Sequence, residues 1–241
     1  MDHLTRVVDG GIEVERYTFD GAGRRIAADN GTGLRRFLTA PNLGDGFDSP
    51  QAVTDDSGNL IAAFVYAGEH PVARIAADGQ VEFYLQDAMG SVIGMADVRG
   101  TSTASIKYDA FGNVTSALGA STAIDPNIGS DFRYHGMQLD AASGLYHVRA
   151  RTYDARTGRF TSRDPVDGIV SRPEANHPYV FNHSSPHAWR DPSGRFSLSE
   201  INVVGVIQGV LASTALRAFA WALTTATVKA AVFVCTANQA A

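Results

Sequence analysis

Only one cysteine, Cys235, occurs in the 241 residues. No disulfide can form within the chain, which excludes a disulfide-stapled secreted scaffold though not export itself. An excess of positive charge is also missing. Twenty Lys and Arg face 25 Asp and Glu, giving a net charge of −5 and a pI near 5.8. That balance argues against a nucleic-acid binder, which usually shows a basic face. The opening residues, Met1-Asp-His-Leu-Thr-Arg6, carry an acid and lack the apolar run of a signal peptide. Charged residues make up 19% and hydrophobic residues 44%, a balance that excludes a disordered chain.

What is abundant is glycine, 24 residues spread almost all singly. Up to about residue 160, short runs rich in Val, Ile, Phe and Tyr alternate with Asp–Gly punctuation. The runs include Val14–Phe19, Leu60–Tyr66, Gln80–Leu85, Ser105–Tyr108 and Gly144–Arg149, with the length and composition of strands. Between them lie Asp20-Gly-Ala-Gly23, Asp55-Asp-Ser-Gly58, Asp78-Gly79, Asp87-Ala-Met-Gly90, Asp109-Ala-Phe-Gly112 and Asp154-Ala-Arg-Thr-Gly158. The aspartate accepts backbone N–H bonds inside the turn and glycine supplies a positive φ. An aromatic–Asp–Gly unit recurs at Tyr17, Tyr108 and Tyr153. A strand–turn unit of this size cannot bury its face alone and must pair with its neighbours. The expected fold is mainly β: a curved antiparallel repeat sheet with an open edge, followed by a short apolar helical tail.

Several stretches together, Tyr108-Asp-Ala-Phe-Gly-Asn-Val114, Phe132–Asp140, Ser143–Asp154, Thr157–Pro165, Asn182–Pro186 and Trp189–Gly194, resemble the C-terminal end of an Rhs or YD-repeat protein. The resemblance covers residues 10–196 and is most specific over 105–194. It implies YD-repeat strands over 1–132, a core-closing segment over 133–196 and a tail over 197–241. It further implies a fragment of a hollow shell that encloses a C-terminal toxin and frees it by intramolecular aspartyl proteolysis. The implied partners are the remainder of the shell and the toxin, with a secretion machine and an immunity protein beyond them. The implied setting is delivery from bacteria, secreted or at the cell surface. A different class, a non-catalytic surface or binding module, also fits YD repeats, as does a truncated remnant.

Residues 197–241 differ. Ser197-Leu-Ser-Glu200 has capping-box spacing, and from Ile201 to Ala237 only Arg217 and Lys229 are charged. The central Arg217 makes a membrane span costly, by about 2.5–3.5 kcal/mol on insertion scales. Small-residue helices packed in a protein cavity are the favoured expectation, with membrane contact the alternative. The stretch is also too short for a toxin domain of about 100 residues.

Two Arg-Asp-Pro triplets bracket a Pro- and His-rich connection: Arg163-Asp164-Pro165 and Arg190-Asp191-Pro192. Hydrolysis by carboxylates needs two of them close together and sharing one proton, one as general base and one as acid. Asp164 and Asp191 stand 27 positions apart in sequence. Pro173, Pro178 and Pro186 allow the chain between them to fold back. Asp191-Pro-Ser-Gly194 equally fits a type I turn. Carried over by motif, Asp164 and Asp191 are the candidate dyad, with Arg163 or Arg190 as electrostatic helper. The family pattern places Leu after the turn glycine, and the cut follows it. Arg195 and Phe196 stand there instead, so the expected cut is Arg195–Phe196 or Phe196–Ser197. No cofactor is expected. His177, His183 and His187 lack the helical spacing of a metal site because Pro186 interrupts it. Cys235 reads as a buried thiol, and Trp189 as a packing anchor.

Overall fold

Asp and Gly at the ends of short β-prone runs become hairpin turns in the computed structural model, which describes residues 3–41, 47–124, 128–164, 177–195 and 198–199. Eleven strands form one antiparallel sheet in chain order. They are β1 (Arg6–Asp9), β2 (Ile12–Phe19), β3 (Arg25–Asp29), β4 (Leu34–Pro41), β5 (Asp48–Thr54), β6 (Leu60–Ala67), β7 (His70–Ala76), β8 (Val81–Gln86), β9 (Val92–Asp97), β10 (Ser102–Tyr108) and β11 (Val114–Leu118).

The turn chemistry repeats atom for atom. In the Asp109 turn, Phe111 N and Asn113 N donate to Oδ1 at 2.9 and 3.0 Å, and Gly112 N donates to the Asp109 carbonyl at 3.2 Å. Asp20, Asp87 and Asp97 accept the same pair of backbone N–H bonds. The register slips immediately before Asp20, Asp55, Asp87 and Asp109, so these hairpins carry a β-bulge that adds twist at the turn.

A second sheet follows: β12 (Ser130–Phe132), β13 (Gln138–Asp140), β14 (Tyr146–Val148), β15 (Arg151–Asp154) and β16 (Arg159–Phe160). The boundary expected at 132/133 falls at the end of β12. A two-stranded pair, β17 (Trp189–Arg190) with β18 (Leu198–Ser199), completes the described strands. A helix was expected from about Ser199. Instead Leu198–Ser199 pairs with Trp189–Arg190, because the backbone there finds its partners across the pair. The rest of the expected helical tail lies outside the described residues, as does Cys235.

The second sheet packs on one face of the first. Alternation along the strands, with the bulge in the β8–β9 pair, puts Tyr17, Phe37, Val53, Phe64, Tyr84, Val92 and Met95 in one core, where they are buried with Ile128 and Phe132. Phe132 meets Phe64 edge-on at 5.1 Å and Tyr84 at 5.9 Å, a favoured aromatic geometry. Three tyrosine hydroxyls of the second sheet region grip the Asp109 turn. Tyr134, Tyr153 and Tyr146 donate to the carbonyls of Ala110, Phe111 and Gly112 at 2.7, 2.7 and 2.8 Å. Gly112 (φ +95) is required twice over, since a Cβ there would meet the Tyr134 ring.

Buried charges bolt the sheets together. Arg25 of β3 donates to Asp140 of β13 at 2.6 Å and to Gln138 at 3.1 Å. Arg74 of β7 donates to Asp131 of β12 at 2.6 Å, and Tyr84 donates to the other oxygen at 2.5 Å. Removing one partner of a buried pair leaves the other charge uncompensated, at a cost of about 3–5 kcal/mol. Asp140→Ala is therefore expected to lower unfolding free energy by about that amount, seen as a fall in the urea midpoint. A loss below about 1 kcal/mol, the size of a typical exposed pair, would show that Arg25–Asp140 is not a bolt.

Candidate active site

Asp164 and Asp191 converge on a residue that lies in neither triplet. Arg151 Nη2 is 2.9 Å from Asp164 Oδ2 and 3.1 Å from Asp191 Oδ2. β15 carries Arg151 into this position. Its guanidinium stacks over the Phe160 ring at 3.6 Å, and its Nε donates to the Gly194 carbonyl at 2.5 Å. The side chain is 3% exposed. Burial lowers the Arg151 pKa below its usual range, and the charges of Asp164 and Asp191 oppose that shift.

Asp164 arrives by backbone pairing. Thr161 N donates to the Thr152 carbonyl at 2.8 Å, Phe160 N to Tyr179 at 2.9 Å and Asp164 N to Pro178 at 2.9 Å. The segment is thus held between β15 and residues 178–180. Asp191 arrives by the repeat's own turn. Its Oδ1 accepts from Arg195 N at 3.1 Å and from Ser193 Oγ at 3.1 Å, and Gly194 N points to the Asp191 carbonyl at 3.4 Å. One oxygen builds the turn and the other faces Arg151. Gly194 has φ +68, and a Cβ there would collide with the Val148 carbonyl. The side chains of Asp164 and Asp191 are 22% and 1% exposed, so solvent reaches the first and not the second.

The two arginines singled out from sequence are placed differently from each other. Arg190 Nη1 donates to Glu69 Oε1 at 3.2 Å, and Arg163 is exposed. Arg195 is exposed at the end of the turn, and Phe196 lies outside the described residues. Arg151 escaped sequence reasoning. Its only signal is its place in an otherwise buried strand, where a cation requires an anionic partner. Trp189 packs edge-on against His183 at 5.1 Å. A cavity of about 330 Å³, lined by Arg149, His135, Phe181, Asp191 and Arg195 among others, opens beside the turn.

Beside it sits His135, buried, with its ring stacked on Tyr134 at 4.1 Å and its Nδ1 3.4 Å from Asn182 Nδ2. Burial, then the nearby Arg190 charge, push its pKa down to about 3, against the opposing pull of a backbone bond at Pro186. Burial likewise drives His147 well below its usual value, with Arg25 and Arg149 adding to the shift.

A ladder of antiparallel strands joined by Asp–Gly turns, with a second sheet bolted to its face, is the architecture of a YD-repeat shell segment. The teneurin YD-shell family model matches residues 2–187, and the chain belongs to that family; the Rhs/YD-repeat resemblance read from the sequence is borne out. It is 28% identical over 204 residues to the tRNA3(Ser)-specific nuclease WapA of Bacillus spizizenii, covering 83% of this chain and 8% of the relative. It is 25% identical to Teneurin-4 of Mus musculus over 71% of this chain and 6% of the relative. The chain thus spans less than a tenth of the length of these curated relatives. Among solved structures, that of the Photorhabdus luminescens Tc holotoxin pore matches with a TM-score of 0.56 at 19% identity, over 80% of this chain and 9% of that one. The crystal structure of TcdB2-TccC3-Cdc42 matches with a TM-score of 0.55 at 18% identity, over 84% and 10%.

His135, buried, and His147, half-buried, give a pH dependence of known sign. Both stay neutral in the folded chain, whereas the unfolded chain protonates them near 6.5. Below that pH the unfolded state binds more protons, so stability falls as pH drops from about 6.5 toward 3. The urea midpoint is expected to fall between pH 7 and pH 5. The fall should be shallower in His135→Asn, a residue that tolerates the left-handed backbone at this position (φ +52). A midpoint that is flat over this range would contradict the burial of these rings.

Proposed function

We propose that this chain is the closing part of a toxin shell and that Asp164 and Asp191 form an intramolecular aspartyl protease that cuts the chain near residue 196. The observation that carries the reading is the meeting of two carboxylates on one buried guanidinium, directly under the turn that leads into the expected cut. The reaction needs one proton shared between the aspartates. Asp164, the more exposed of the two, is suited to activate water. Asp191, whose Oδ2 meets the same Arg151 nitrogen as Asp164 Oδ2, is assigned the shared proton and would pass it to the leaving nitrogen. Arg151 supplies the fixed positive charge for the oxyanion.

In this reading residues 1–132 are shell wall, 133–196 close the core, and the apolar tail beyond β18 is a linker toward a C-terminal toxin. The remainder of the shell and that toxin are the immediate partners, with a secretion machine and an immunity protein further on. The WapA relatives are named as tRNA nucleases, which fits a shell that carries an effector. The match to Teneurin-4 favours a second reading, a binding module that is never cut.

The intact mass of the purified chain separates the two. Self-cleavage predicts two pieces, the first ending at Arg195 or Phe196, and an unbroken chain in Asp164→Asn and in Asp191→Asn. Each carboxylate is half of a unit, so either change alone should abolish the reaction. Arg151→Met should slow it by about 10²–10³-fold, the usual loss for one oxyanion donor. An Asp191→Asn chain cut as fast as wild type would sink the mechanism, and an uncut wild type would favour the binding module.

A further inference from the structure

The first sheet holds the turn that carries Asp191 on both sides, directly through Glu69 and by relay through Arg149 of the β14–β15 connection. Immediately before Asp191, buried Arg190 donates to Glu69 Oε1 at 3.2 Å. Glu69 lies in the two-residue connection between β6 and β7. Immediately after Asp191, the Pro192 carbonyl accepts a bond from Arg149 Nη1. The same guanidinium donates through Nε to the Asp48 carbonyl at 3.1 Å and through Nη2 to Ser49 Oγ at 3.0 Å, both at the start of β5. Arg149 holds φ +45, a left-handed backbone that an arginine adopts only where its surroundings over-determine it. Asp191 is thus suspended between two arginines, each seated on a different hairpin of the wall.

We infer that Glu69 and Arg149 are positioning residues for the proposed dyad, so that β5, β6 and β7 of the shell wall fix Asp191 against Arg151. The inference rests on the self-cleavage reading for its consequence, not for its geometry. Neither residue touches the Asp164–Arg151–Asp191 cluster. Each acts by holding a neighbour of Asp191: Glu69 holds Arg190 through an ion pair, and Arg149 holds the Pro192 carbonyl. The site is then complete only once the wall hairpins are folded against the closing segment, and cutting follows wall folding rather than preceding it.

The test uses the full chain in two measurements. In the first, single-turnover cleavage is followed in Glu69→Gln and Arg149→Lys. A misplacement of about 1 Å costs on the order of 100-fold in rate, so both variants should slow at least tenfold, about a tenth of that effect on the same scale, with the cut position unchanged. The exchanged pair, Glu69→Arg with Arg190→Glu, should recover most of the lost rate, which a general loss of stability would not allow. In the second, hydrogen exchange at the Arg195 amide, the proton held by Asp191 Oδ1, is measured in chains that also carry Asp164→Asn and stay whole. Glu69→Gln and Arg149→Lys should speed exchange at Arg195 while leaving β14 protected. Unchanged exchange at Arg195 in both variants overturns the inference, as does a Glu69→Gln chain that cuts at the wild-type rate. A wild-type chain that never cuts overturns the proposed reaction alone, and the exchange comparison still decides the positioning.

Discussion

A buried guanidinium without an anion is among the costliest groups a fold can contain, and this chain buries several. Arg25, Arg74 and Arg151 are each at most 8% exposed, and each is answered by an aspartate. Arg25 and Arg74 belong to the strand ladder, and their aspartates to the second sheet. The ladder therefore cannot bury its inner face without that sheet, and the sheet cannot bury Asp140 and Asp131 without the ladder. The pairing also fixes register. A slip of one residue in β3 would move Arg25 to the outer face, where Ile26 now lies exposed, and would strand Asp140.

The candidate site is made from parts that the repeat already uses. Asp20, Asp87, Asp97 and Asp109 each spend Oδ1 on the backbone N–H groups of a turn, and Asp191 does the same with Arg195 N. What differs is the neighbour of the second oxygen. In Asp109 it is Asn113 Nδ2 at 2.8 Å, within the same turn. In Asp191 it is Arg151, 40 positions away, which also holds Asp164. A turn residue thereby gains a distant partner without any change to its own backbone role.

This division explains what was legible in the sequence. The Asp–Gly turns are local chemistry, each decided within five residues, and the strands that flank them could be read. Strands such as β4, Leu-Arg-Arg-Phe-Leu-Thr-Ala-Pro, could not. Arg35 points inward to Glu15 at 2.8 Å, and no residue near it in sequence announces that partner. Asp164 and Asp191 were recognisable from their triplets. Arg151 was not, because its role rests on Phe160, Gly194 and two aspartates brought together by the fold. Arg190 was read for its nearness to Asp191 in sequence, while its partner is the glutamate of a distant hairpin. Charges whose partners lie far along the chain are invisible to pattern.

Backbone strain follows the same geography. Among the described residues, the non-glycine positions with positive φ are His135, Arg149, Asn182, His183 and Ser184, at 52°, 45°, 47°, 51° and 57°. None lies in the eleven-stranded ladder. Each such residue costs on the order of 1–3 kcal/mol, and a local sequence would relax out of that conformation if nothing opposed it. What opposes it here is burial and contact. Asn182 is fully buried beside His135, and Tyr153 stacks on Phe181 at 3.9 Å. Arg149 is tied to β5 through Asp48 and Ser49. The ladder, relaxed at its own non-glycine positions, thus braces the strained backbone that precedes Arg151.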